Sequence, residues 1–214
     1  MTADAKTLIS LALVILSFTL SFYAYPISPD RVATHWNVKG EVDGYMGKTV
    51  GLFLIPSIMA ALIVFFKAIP KIDPLKKNIT LFTPTYKTFT LALTFFMCII
   101  HIQSVLWNLG IKLSFNATMP VLVSGLFYVA GDLMDKSKRN WFIGVRTPWT
   151  LSSDKVWDKT NKLGGKLFKA SAVTSIVGIV FLEYWLYFLL VPVFASAAYL
   201  FLYSYLEYRK ETEK

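Results

Sequence analysis

The chain has two histidines, and each stands where an imidazole could do chemistry. His35 lies in the polar segment PISPDRVATHWNVKGEVDGYMGKT, with Glu41 and Asp43 a few residues on. Imidazole and carboxylates together suit a divalent cation or acid–base work, although this spacing fits no established ligand signature. In the competing reading, Trp36 and Tyr45 anchor the segment in a membrane interface, and His35, Asn37 and Asp43 satisfy loop backbone groups. His101 and Gln103 interrupt one apolar block, and Asp132 sits at the inner end of another. Ionisable groups at membrane depth are costly, so they suggest a transport or proton route unless a neighbouring helix pairs with them. Helical spacing places His101 with Cys98 and Val105 on one face and turns Gln103 elsewhere. Asp132 also has Arg139 and Arg146 within reach as partners that would hold the following loop to the bundle.

The second polar segment, MDKSKRNWFIGVRTPWTLSSDKVWDKTNKLGGK, is too aromatic for a disordered connector. Asn140, Arg146, Thr147, Trp149, Asp154 and Trp157 read either as a recognition surface, since Arg and aromatics dominate binding hot spots, or as interface anchors. Pro148 makes Thr147 extended, and Ser152 or Ser153 can cap a helix with Asp154 in its first turn. Val156, Thr160, Leu163 and Leu167 then share a stripe, which predicts a helix lying on the membrane surface. Gly164-Gly165 is expected to bend it where it enters the bilayer. No HExxH, GxSxG, phosphate-binding glycine loop or paired catalytic carboxylate motif occurs, which argues against an enzyme, and no cofactor is implied. Cys98, the lone cysteine, excludes an intramolecular disulfide and reads as a small buried hydrophobe.

These segments must be held by something very apolar. Of the 214 residues, 55% are hydrophobic and 16% charged, with a mean hydropathy of +0.53. Blocks of about 18 or more apolar residues are long enough to cross the hydrocarbon layer as helices. The expected fold is an all-α integral membrane bundle of six transmembrane helices in a single domain. Spans are placed at residues 8–25, 49–66, 88–109, 113–132, 167–182 and 184–206. The first could pass for a signal peptide, but no small-residue cleavage site follows it. The last apolar stretch is too long for one crossing, so it must turn at Glu183, Tyr184 and Trp185.

With this layout, 18 of the 22 Lys and Arg residues fall on one side, leaving Arg31, Lys39, Lys48 and Lys112 on the other. The positive-inside rule then puts both termini in the cytoplasm, the 26–48 segment outside as a small hairpin-like cap, and the 133–166 segment inside. The net charge of +9 thus follows from topology and anionic lipid headgroups, with no direct nucleic-acid role.

Taken together, the segments carry a resemblance. The stretch from Pro26 to Lys48, with THWN, Gly40 and DGY, resembles the amino-terminal signature of a widespread prokaryotic domain of unknown function. NWFIGVRTPWTLSSDKVW, from Asn140 to Trp157, followed by Gly164-Gly165, resembles the signature of the Sdp immunity protein family, and the order of the two matches that family along nearly the whole chain. The family pattern has Asn where this chain has Asp132, and Gly-Ile-Arg where it has Gly144-Val145-Arg146. The resemblance implies a prokaryotic plasma-membrane protein. It implies protection against a secreted, hydrophobic sporulation-delaying peptide toxin outside, and a transcriptional repressor held at the membrane inside. On that reading His35, Trp36, Asn37 and Asp43 serve the outer face, and the Asn140–Trp157 residues carry the consequence inward. The alternatives are a small-molecule or ion transporter using His101, Gln103 and Asp132, and a metal-dependent membrane enzyme built on His35.

Overall fold

The structure, a computed structural model, describes residues 2–213. Helix α1 (Ala3–Ala24) starts from a Thr2 cap, with Asp4 favourable in the first turn, and ends in a short 3-10 turn. Strands β1 (Arg31–Trp36) and β2 (Val42–Gly47) form an antiparallel hairpin, and α2 (Lys48–Ile72) follows without a linker. A short α3 (Lys76–Thr80) leads into α4 (Thr83–Asn108). Helix α5 (Phe115–Lys136), a one-turn α6 (Pro148–Ser152), α7 (Asp154–Val177) and α8 (Trp185–Thr212) complete the chain.

Among the described residues, six helices are long and apolar enough to cross a membrane: α1, α2, α4, α5, α7 with its 3-10 extension, and α8. Proline interrupts α2 at Pro56 and Pro70, α5 at Pro120 and α8 at Pro192 without ending any of them. Neighbouring helices in a bundle make such residues tolerable. By helix length and composition the chain is a multi-pass membrane protein.

The bundle has two halves. Helices α1, α2 and α4 pack on one another, α7 packs on both α5 and α8, and the α4–α5 contact joins the halves. Helices α2 and α8 scarcely touch, which leaves a seam at the hairpin end. In the first half the core is Val14, Met59 and Cys98 at mid-depth, with Ala24, Leu52 and Val105 nearer the hairpin. Ile69, Ile79, Phe82, Tyr86 and Leu133 form a third cluster at the opposite end.

The second polar segment departs from expectation. No separate surface helix lies before span five; α7 runs unbroken from Asp154 through Gly164-Gly165 to Val177. A Cβ on Gly165 would stand 2.5 Å from the Gly131 carbonyl oxygen, and one on Gly131 would stand 2.7 Å from that of Gly165. The glycines therefore let the α5 and α7 backbones meet, as small residues do between membrane helices. The turn between the last two spans is a 3-10 segment (Gly178–Phe181) followed by residues 182–184.

Asp132 also differs. It pairs with Lys136 at 2.9 Å and with Lys169 of α7 at 3.3 Å, in place of Arg139 or Arg146. It ties α5 to α7, while Arg139 pairs with Asp154 at 2.8 Å.

Candidate binding sites at the two ends of the bundle

The hairpin is fastened to the bundle by amides that imitate strand pairing. Asn108, closing α4, donates from Nδ2 to the Ala33 carbonyl at 3.0 Å and accepts from the Ala33 N–H at 2.7 Å. Asn116 at the start of α5 donates to the Val38 carbonyl at 2.8 Å. Val32 and Ala33 are consequently buried.

Within the hairpin, His35 Nδ1 lies 2.5 Å from Asp43 Oδ1 across the strands. Asn37 organises the turn: its Oδ1 accepts from the Lys39 and Glu41 N–H groups at 2.9 and 3.0 Å, and its Nδ2 donates to Glu41 at 3.1 Å. The carboxylate of Glu41 is thus spent on Asn37. No group of three or more His, Cys, Asp or Glu side chains placed to hold a metal occurs among the described residues, so the metal alternative lacks a ligand set.

Trp36 points into the bundle. It stacks on Phe115 with ring centroids 4.0 Å apart and meets Trp107 edge-on at 5.8 Å. Under the hairpin, in the seam between the halves, lies a cavity of about 370 Å³ lined by Trp36, Leu54, Ile100, Phe115, Met119 and Trp185 among others. A second chamber of about 370 Å³ adjoins it between the hairpin tip at Val38–Lys39 and the turn at Glu183–Tyr187. Val38, Trp185 and Leu186 line both. The Nε1 atoms of Trp36 and Trp185 are shut off from solvent and have no hydrogen-bond partner. Leaving a buried donor unpaired costs about 1–3 kcal/mol, so such groups are uncommon unless something satisfies them. Trp185 is a residue that sequence reasoning treated only as an interfacial anchor.

At mid-depth the polar side chains are occupied. His101 is 1% exposed; its Nε2–H donates to the Ser17 carbonyl at 3.1 Å and has Ser21 Oγ at 3.0 Å. Ser21 in turn donates to the Leu52 carbonyl at 2.7 Å, so one imidazole links α1, α2 and α4. Gln103 accepts from Thr118 at 2.8 Å and donates to the Leu113 carbonyl at 3.3 Å. These contacts hold helices together and form no file of polar groups with Asp132 at the far end of α5.

The opposite end is built around the Asn140–Trp157 segment. Asn140 is fully buried; its Oδ1 accepts from the Phe142 and Ile143 N–H groups, and its Nδ2 donates to the Lys138 and Ile143 carbonyls. Thr147 caps α6 in a reciprocal capping box with Thr150 and donates to Ser204 of α8 at 3.0 Å. Trp157, also fully buried, donates to the Ser137 carbonyl at 3.1 Å. Asn161, which sequence reasoning missed, accepts from the Val145 N–H at 2.7 Å beside Gly144, whose φ is +102°. Asp73 was missed too. It is 2% exposed and accepts from Leu75 and, at 2.9 Å, from the Trp141 N–H; its Asp-Pro pair was the available turn signal. Trp149 is half-buried against Phe201 and Tyr205 at 5.1 Å from each ring. Trp141, Arg146 and Asp154 remain exposed, with Arg146 donating to the Trp141 carbonyl at 2.5 Å.

The comparisons take in residues of both ends. Residues 136–204 match the SdpI/YfhL protein family, and residues 12–60 match a domain of unknown function, DUF1648. The chain is 25% identical over 206 residues to the Immunity protein SdpI of Bacillus subtilis (strain 168), covering 96% of this chain and 97% of the relative. The chain is thus similar to SdpI along nearly its whole length. No solved structure matches the chain significantly. The DUF1648 match runs from within α1 through the hairpin into α2, and the SdpI/YfhL match runs from the end of α5 into α8. His101, Gln103 and Asp132 lie outside both regions.

Proposed function

We propose that this protein is a membrane immunity protein that meets a secreted apolar peptide toxin at its hairpin end and passes the consequence to its opposite end. The observation that carries this reading is similarity to an immunity protein along 96% of the chain, with one matched region holding the hairpin and the other the Asn140–Trp157 segment. The one-sided distribution of Lys and Arg supports an orientation with the hairpin outside and both termini inside. Binding outside would favour one packing of the two halves over another, because a ligand shifts an equilibrium only through differential contact with its states.

At the inner end, exposed Arg146 with Trp141 is the surface we assign to a cytoplasmic partner such as a repressor. Buried Asn140, Thr147 and Trp157 shape that surface without touching the partner. The satisfied side chains of His101 and Gln103 give the transport alternative no observation in its favour.

The test is survival. The chain is expressed in a Bacillus subtilis strain lacking its own immunity protein and challenged with the sporulation-delaying peptide. Survival above that of cells with an empty vector is expected. Killing at the empty-vector level, with the protein present in the membrane, refutes the immunity reading.

A further inference from the structure

We infer that the cavity under the hairpin seats an apolar segment of the peptide toxin, whose backbone carbonyls accept hydrogen bonds from Trp36 Nε1 and Trp185 Nε1. This rests on the immunity reading and adds the place and chemistry of recognition. Three observations select the occupant. Both unpartnered groups are donors, so the ligand must bring acceptors. Among the described residues no Lys, Arg, Asp or Glu lines the inner chamber and its His35 is already engaged by Asp43, so a phospholipid headgroup would find no free counter-charge there, and an acyl chain would leave both donors unpaired. The walls are otherwise largely apolar, with Leu54, Ile55, Ile100, Phe115 and Met119, and a peptide backbone flanked by apolar side chains matches both features.

The chamber volume of about 370 Å³ lies near the lower end of the roughly 300–1,000 Å³ typical of ligand pockets, which suits a few residues and not a folded domain. Lys39 and Glu183 stand at the second chamber, where the peptide would leave the apolar seat for water. Both N–H groups are shut off from solvent, so entry includes a small ring rotation, a change of the kind that commonly accompanies binding. The stack on Phe115 keeps Trp36 in place for it.

The experiment titrates the full-length protein in phospholipid nanodiscs with the sporulation-delaying peptide and reads Kd by calorimetry. Trp36→Phe and Trp185→Phe keep an aromatic ring but remove the donor, and each is expected to weaken binding by about three- to tenfold. Met119→Trp, which fills the chamber, is expected to weaken it more, while Leu81→Ala, at an exposed position away from the hairpin end, leaves Kd unchanged. Thermal unfolding in the same nanodiscs confirms that each variant is folded. Unaltered Kd in folded Trp36→Phe, Trp185→Phe and Met119→Trp overturns the seat while leaving the immunity reading intact if wild type still binds and protects. Wild type that neither binds nor protects defeats both. A phospholipid retained in native mass spectrometry, lost on Met119→Trp and not displaced by the peptide, overturns the peptide in favour of lipid.

Discussion

Gly144 and Asn161 show how much of the inner motif is architecture. A Cβ at position 144 would stand 2.4 Å from Asn161 Oδ1, the atom that accepts the Val145 N–H, and φ is already +102°. Gly144→Ala therefore meets backbone strain and a clash together, and should cost about 2–3 kcal/mol, read as a clear fall in Tm in detergent. Wild-type Tm in that variant would show that the loop relaxes freely. Asp132 is the opposite case. Its partners Lys136 and Lys169 are partly solvated, so Asp132→Asn should shift stability by no more than about 1 kcal/mol and leave protection intact. Loss of protection with normal membrane levels would mean that the carboxylate itself is used. The motif residues were legible as a constellation because Trp, Arg and Pro are conspicuous in an apolar chain. Which of them face inward was not, since burial of Asn140 and Trp157 depends on Ser137, Ile143 and other groups that no spacing rule brings together.

Between elements, the decisive contact is the α5–α7 crossing at Gly131 and Gly165. Any side chain at 165 would press on the Gly131 carbonyl and on Asp135, so Gly165→Leu should separate the helices and sharply lower the yield of folded protein. A smaller effect is expected for Ala substitution at the exposed Gly125 of α5, where a Cβ meets nothing within 4 Å. Equal yields from the two variants would count against close backbone approach as the role of Gly165. A pair of glycines in an isolated sequence reads equally well as a bend or as a contact, because the deciding atom belongs to a helix some thirty residues earlier. The hairpin was easier: Lys39-Gly40 is a local turn signal between β1 and β2, although the similar pair Asp43-Gly44 lies inside β2, with Gly44 opposite His35. At the inner end, Arg146→Glu tests the partner surface. Its side chain is exposed, so toxin survival should persist while a repressor-controlled reporter loses its response. Simultaneous loss of both would place Arg146 in the scaffold.

At the scale of the whole molecule, the orientation carries the functional reading, because a toxin acting from outside can reach only one end. The apolar block lengths made six crossings legible, and the distribution of Lys and Arg supplied an expected sidedness that awaits a direct test. The seam between the two halves was not legible, since it arises from which helices fail to meet. The chain supplies its own means of testing the sidedness. Cys98, the only cysteine, is 1% exposed and packed against Ser17 and Met59, so Cys98→Ser in place of this small side chain gives a background without thiols at a cost of roughly 1–2 kcal/mol. On that background, Lys39→Cys at the hairpin tip should react with a membrane-impermeant maleimide in intact cells. Lys210→Cys near the end of α8 should react only after the membrane is opened. The reverse pattern would put the hairpin and its cavity in the cytoplasm, where a secreted peptide could not reach them, and would remove the geometric basis for immunity even if all six crossings stood.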